Sequence, residues 1–151
     1  SIMGRVLLAF AIKPPDPITE TIVSPPPGPT AEYGDYLANH VSPCAACHTP
    51  HVRGEIQEDK LWSGGFGFEV GDGMIYSANI TTDAETGIGS WEEDDFFTAI
   101  RTGVNPDGVV ALLPMPWPQL KNMTDDDLRA IWLSIQGVPA IHNVVPENEI
   151  N

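Results

Sequence analysis

Cysteines at 44 and 47 and a histidine at 48, in the run Cys-Ala-Ala-Cys-His, are the residues whose types and spacing can do chemistry. Two thiols three positions apart can each bond one vinyl group of a haem, and the imidazole directly after them reaches its iron. The run therefore reads as the attachment site of a c-type haem. This order of groups fits one helical turn, so the match is far more specific than a bare Cys-x-x-Cys. A zinc site wants four ligands, usually from two separated pairs; the chain has no third cysteine, and His51 follows His48 too closely for a comfortable second pair. A thioredoxin-like dithiol needs a strand leading into it within a βαβ pattern, and none surrounds Cys44.

The second candidate stretch is Leu112-Leu113-Pro114-Met115-Pro116-Trp117-Pro118. A methionine sulfur is a flexible, weak ligand, so holding it on iron requires a backbone whose dihedrals are already fixed, and Pro114, Pro116 and Pro118 fix it. His40, His51, His142, Met74 and Met123 lack such a frame. A methionine buried in the core is the alternative use of Met115.

Four stretches must position these residues. Thr30 can cap a helix running to Val41, with Tyr33, Leu37 and Val41 forming an apolar stripe of helical period and Pro43 ending it. Gly34 on that helix is a place where another helix can cross closely. After the motif, Gly64-Gly65-Phe66-Gly67-Phe68 and Gly71-Asp72-Gly73 punctuate loops or a short hairpin, with Trp62, Phe66 and Phe68 as core or haem-edge packing. Ser90 with Glu93 reads as a capping box opening a helix that carries Phe96, Phe97 and Ile100 and stops at Gly103. Thr124 with Asp127 opens the last helix, which shows Leu128, Ile131, Trp132 and Ile135 at helical spacing and ends at Gly137; Leu128 and Trp132 should face the first helix.

Residues 1–12 are apolar apart from Arg5 and far short of the ~20 residues of a membrane span. They can pack on a neighbouring subunit, lie on a membrane or cap the domain. Between Pro14 and Pro29 lie seven of the 15 prolines, which favours an extended strap and forbids a regular helix. Starting at Ser1 without a visible leader, the chain looks processed or cut from something longer. Seven Lys and Arg against 21 Asp and Glu give a formal charge of −14, which argues against nucleic acid and anionic membrane surfaces and for a basic partner. Residues 83–95 alone carry six carboxylates and no cation.

Taken together, Cys44–His48, the segment Asn79-Ile-Thr-Thr-Asp-Ala-Glu-Thr-Gly-Ile-Gly-Ser-Trp91 and Pro114–Trp117 resemble class I c-type cytochrome domains. They are most similar to the cytochrome c subunits of membrane-bound alcohol and aldehyde dehydrogenases and related multi-haem chains. The resemblance covers about Tyr33 to Pro146. It implies an all-α class I cytochrome c fold, three main helices around one covalent haem c, with residues 1–30 as docking segment and proline-rich strap and 31–151 as the haem domain. It carries the axial ligands onto His48 and Met115. Asn79, Trp91, Arg101 and Trp117 are further candidate haem-binding residues, the last three because an indole or guanidinium can donate to a propionate; complementing its own helix C-terminus is the equal alternative use of Arg101. The resemblance implies a single-electron carrier rather than an enzyme, periplasmic or otherwise extracytoplasmic. Such a carrier works with redox partners as a subunit of, or docked to, a membrane-associated respiratory or photosynthetic complex, and residues 1–29 lie on a neighbouring subunit or the membrane surface. The rivals are a haem enzyme of peroxidase or thiosulfate-oxidising type, with Met115 off the iron, and a haem-based gas binder.

Overall fold

The computed structural model describes Thr19 and residues 23–150; the expected docking segment 1–12, and the strap as far as residue 22 apart from Thr19, lie outside the described residues. Thr30 caps the first helix, its hydroxyl accepting from the Tyr33 N–H, and α1 runs Ala31–Tyr36. The chain then widens into a π-helical turn, Leu37–Val41, closed by the Ser42 N–H donating to Leu37 O at 2.6 Å. This wider turn rotates Val41 off the apolar stripe, and it stands 53% exposed while Leu37 and Ala38 are buried. Cys44–Cys47 form the single turn α2.

The expected all-α class I architecture with three main helices is overturned by two small antiparallel sheets that accompany five α-helices among the described residues. In the first sheet β1 (His51–Val52) pairs with β2 (Glu55–Ile56), and in the second β3 (Gly67–Val70) pairs with β4 (Gly73–Tyr76). Turn chemistry explains both. Arg53 and Gly54 both sit at positive φ, 55° and 85°, as a two-residue hairpin loop with both central residues left-handed requires. Gly71, at φ 59°, supplies the left-handed first position of the second loop. The glycines that punctuate this region thus close hairpins rather than open loops.

The remaining helices are α3 (Glu93–Thr102), α4 (Trp117–Leu120) and α5 (Asp125–Ile135). The α5 cap is the expected box, with Thr124 and Asp127 each bonding the other's backbone N–H. On α3 the box is formed by Glu92 and Asp95, two residues beyond Ser90 and Glu93, after a turn in which the Trp91 N–H donates to Ile88 O at 3.1 Å. Gly103 ends α3 at φ 74° as its left-handed cap.

The core joins Leu37, Ala38, Trp62, Ile88, Phe96, Leu128, Ile131, Trp132 and Ile135. Each large apolar side chain there contributes roughly 1.5–3 kcal/mol by leaving water. Gly34 is buried where α1 crosses α5: a Cβ on it would lie 1.8 Å from Ala130 O. No described helix is long and apolar enough to cross a membrane.

The loop from Asn79 to Trp91 is held by its own side chains. The Asp83 carboxylate accepts from the Thr86 N–H and hydroxyl, both at 2.7 Å, and from the Glu85 N–H at 3.3 Å. The Thr86 hydroxyl and N–H hold its pKa below the usual aspartate value. A depressed folded value means this contribution is complete above the ordinary aspartate pKa and fades as pH falls through the lower folded value. The melting temperature of Asp83→Asn should therefore fall below wild type at neutral pH and converge with it below about pH 4. A gap that stays constant with pH excludes this linkage.

Candidate functional site

The functional cysteines lie on one face of α2, three residues apart. The turn is tied at both ends: the Cys47 N–H donates to Pro43 O at 3.2 Å and the His48 N–H to Cys44 O at 2.8 Å. Both thiols are free and half-buried. Burial pushes the Cys44 thiol up to about 11, a backbone hydrogen bond opposing it and the Cys47 thiol adding to it. A redox dithiol needs a lowered pKa and an available thiolate, so this environment runs against that use. Among the described residues no three His, Cys, Asp or Glu side chains group to hold a bare metal ion.

His48 is prepared as a ligand. Its Nδ1–H donates to Ala78 O at 2.8 Å. Desolvation lowers its pKa, and the bond to Ala78 opposes this only in part, so the ring is neutral at pH 7. With the proton fixed on Nδ1, Nε2 carries a free lone pair, and the carbonyl behind the ring raises its basicity and sets its plane. His51 is committed elsewhere: its Nε2–H donates to Ala46 O at 3.0 Å and its ring packs on Phe66, centroids 4.1 Å apart.

The carbonyl that orients His48 had no signal in the motif, since it comes from 30 residues downstream. Gly64 brings it there. Its N–H donates to His48 O at 2.8 Å, and a Cβ on it would lie 2.4 Å from Ala78 C, so only glycine lets the two backbones meet. The Gly64-Gly65 pair, both at positive φ, was the available sequence sign of a close approach.

Met115 is half-buried in a tight turn, its N–H donating to Leu112 O at 3.0 Å, with Pro116 leading into α4. Gly103 clamps both flanks of this segment: its carbonyl accepts from the Ala111 N–H at 2.7 Å, and a Cβ on it would meet Trp117 Cε2 at 2.5 Å. On the same segment Val109, Val110 and Leu113 stand 62%, 55% and 65% exposed.

The other expected haem contacts fall differently. Arg101 donates to Lys121 O, to Met123 O at 2.7 Å and to the Asp125 carboxylate at 2.7 Å, stapling α3 to the start of α5. Three of its five N–H groups are thus engaged within the fold, by two carbonyls of the α4–α5 turn and the first carboxylate of α5. Asn79 is buried at 3% exposure, and both ends of its amide are bonded to Thr81, Thr86 and Ile141. Trp91 is half-buried at the edge of the core and Trp117 packs against Gly103. Two clefts, of about 500 Å³ beside Trp62 and Leu133 and about 440 Å³ beside Tyr76 and Asn143, involve none of Cys44, Cys47, His48 and Met115.

These residues fit a haem c. The donor set is two thiols on one turn and an adjacent imidazole with its tautomer fixed, and the Met115 segment offers exposed apolar side chains for a porphyrin face.

No family model matches the chain. Over 117 residues, 76% of this chain and 23% of the relative, it is 38% identical to the cytochrome c subunit of the quinone alcohol dehydrogenase of Gluconobacter oxydans. It is 32% identical over its whole length to the cytochrome c subunit of gluconate 2-dehydrogenase from Pantoea cypripedii, covering 30% of that relative. With the fructose dehydrogenase cytochrome subunit of Gluconobacter japonicus it shares 33% identity over 71% of this chain and 21% of the relative. The chain thus spans less than a third of the length of each of these relatives. Since the similarity to named cytochrome subunits spans the attachment turn and most of the described fold, the chain carries a c-type cytochrome domain similar to those of dehydrogenase cytochrome c subunits.

Proposed function

We propose that the chain is a single-electron carrier that holds one haem c through Cys44 and Cys47, with His48 and Met115 as its axial ligands. The observation that carries this reading is the His48 ring, directly after the two thiols in sequence, with Nδ1 bonded to Ala78 O at 2.8 Å so that Nε2 keeps the free lone pair. Bound there, the haem supplies a one-electron couple. The chain's own residues orient the imidazole, present Met115 from a proline-framed turn and cover the porphyrin with apolar side chains. With two protein ligands no iron position is left for oxygen or peroxide, which makes this a carrier rather than an enzyme. Trp91 and Trp117 are the indole donors we assign to the propionates; Arg101 is already occupied.

The relatives' names place their cytochromes in dehydrogenase complexes, and by that kinship this chain takes electrons from a dehydrogenase partner in a membrane-associated complex outside the cytoplasm. The acidic run from Asp83 to Asp95 suits a partner with a basic docking patch. The test is spectroscopic. Protein matured with a haem c attachment system should show a thioether-haem spectrum, low-spin in both oxidation states, and the reduced form should bind carbon monoxide negligibly. Rapid, stoichiometric carbon monoxide binding by the intact protein overturns the carrier reading in favour of a haem enzyme or gas binder.

A further inference from the structure

Two backbone strips hold His48. One is Ser63–Gly65, whose Gly64 N–H donates to His48 O; the other is Ala78–Thr81, whose Ala78 carbonyl receives the His48 Nδ1–H. Neither strip adjoins the attachment turn in sequence, and a third segment ties them together. The C-terminal tail passes over both: the Asn143 Nδ2–H donates to Ser63 O at 2.8 Å, the Asn143 N–H to Thr86 Oγ1 at 3.0 Å, and Ile141 O accepts from Asn79 Nδ2 at 2.8 Å. Asn79 in turn accepts on Oδ1 from the Thr81 N–H at 2.9 Å and the Thr81 hydroxyl at 2.8 Å.

We infer that this tail is part of the iron-ligand support: Asn79 and Asn143 are positioning residues that lock the Ser63–Gly65 and Ala78–Thr81 strips together and so fix the carbonyl against which His48 is oriented. The inference rests on the haem reading above. Asn79 cannot act as a direct haem contact, because each end of its buried amide already has two partners. Val138 packs on the core at the start of the tail, but farther along Val144 is 76% and Ile150 52% exposed, so hydrogen bonds are a large part of the hold there, and two of them reach Ser63 and Asn79, which flank Gly64 and Ala78. Because Gly64 packs directly on the Ala78–Asn79 peptide, movement of one strip moves the other. An imidazole whose Nδ1–H bonds firmly to a carbonyl is a stronger electron donor and favours ferric iron. Loosening that carbonyl therefore raises the midpoint potential.

The experiment uses the full-length haem-loaded protein. Asn143→Ala removes the bond to Ser63 O and keeps the backbone bond to Thr86. It should leave the haem spectrum intact, raise the midpoint so that the ferrous-to-ferric ratio at a fixed applied potential grows about three- to tenfold, and speed solvent exchange of the His48 Nδ1 proton in the NMR spectrum of the ferrous protein. Thr82→Val is the control. It removes another tail bond, from the Thr82 hydroxyl to Val138 O at 2.8 Å, which touches neither strip. It should lower stability without moving the midpoint. If Asn143→Ala fails to retain haem, Asn143→Ser, polar but too short to reach Ser63 O, is read in the same way. A normal haem spectrum with unmoved midpoint and exchange rate in the Asn143 variant, or an equal shift in Thr82→Val, overturns the role of the tail. A wild-type protein that takes up no haem c overturns the underlying reading instead, and this inference with it.

Discussion

Replacing Met115 by alanine is expected to turn the ferric protein from low to high spin, to lower its midpoint potential and to open the reduced iron to carbon monoxide. A thioether is a weak donor that favours ferrous iron, so its loss removes both the sixth ligand and the stabilisation of the reduced state. The change should be large because axial ligation is among the strongest levers on a haem potential. It should also be clean. Met115 is half-buried, and its turn is held by the backbone bond to Leu112 O and by Gly103 on both flanks, so truncating the side chain leaves the segment in place. Met115→His in the same frame should stay low-spin with a lower midpoint. Absorption and EPR spectra of the ferric Met115→Ala protein decide the matter: if both match wild type, another residue is the ligand.

The largest expected loss of stability comes from Gly34→Val. Even the first carbon of any side chain at this position would fall 1.8 Å from Ala130 O and 2.3 Å from Ala130 C. Those are backbone atoms inside α5, with no rotamer to yield, so α1 and α5 must move apart. Separation uncovers the seam where Leu37 and Ala38 meet Leu128 and Ile131. Overpacking in a rigid core costs typically ~1–3 kcal/mol, and a clash of backbone with backbone belongs at or beyond the top of that range, about 4 kcal/mol. Against a total stability of roughly 5–15 kcal/mol, that leaves the domain marginal. Thermal or denaturant unfolding measures it; a loss under about 1 kcal/mol means that the helices do not cross as closely as described.

What the sequence made legible was local. The attachment turn, the Thr124 box and the left-handed stop at Gly103 each depend on atoms within a few residues of one another, and each lies where its spacing puts it. Gly34 could be read because a glycine on an otherwise apolar helix has few other uses. The shift of the α3 box from Ser90 to Glu92 shows the limit: Ser90 with Glu93 and Glu92 with Asp95 both have the right spacing, and the sequence alone does not select between them. A short hairpin was one of the two readings of Gly64–Gly73, since glycine-rich runs read equally as loop, whereas the hairpin at Arg53-Gly54 was not read at all. The partners of Arg101, 22 and 24 residues away, those of Asn79, up to 62 away, and the Ala78 carbonyl were beyond any local pattern. The charge of Arg101 suggested a propionate, and the three acceptors it meets at the start of α5 had no local sign.

The pairing of the tail with β4 has a consequence outside electron transfer. Met74 exchanges both of its backbone bonds with Glu149, its N–H donating to Glu149 O at 2.7 Å and its carbonyl accepting from the Glu149 N–H at 2.8 Å, while Asn148 Oδ1 takes the Tyr76 N–H at 2.8 Å. A two-stranded ribbon has two bare rims, and a bare rim is a template on which a second molecule can add its own strand. Here one rim is already filled from within the chain. Gly73 lets the filler lie close, since a Cβ there would strike Glu149 O at 2.1 Å. The closing residues thus take up the Met74 and Tyr76 groups that a second strand would need on that rim.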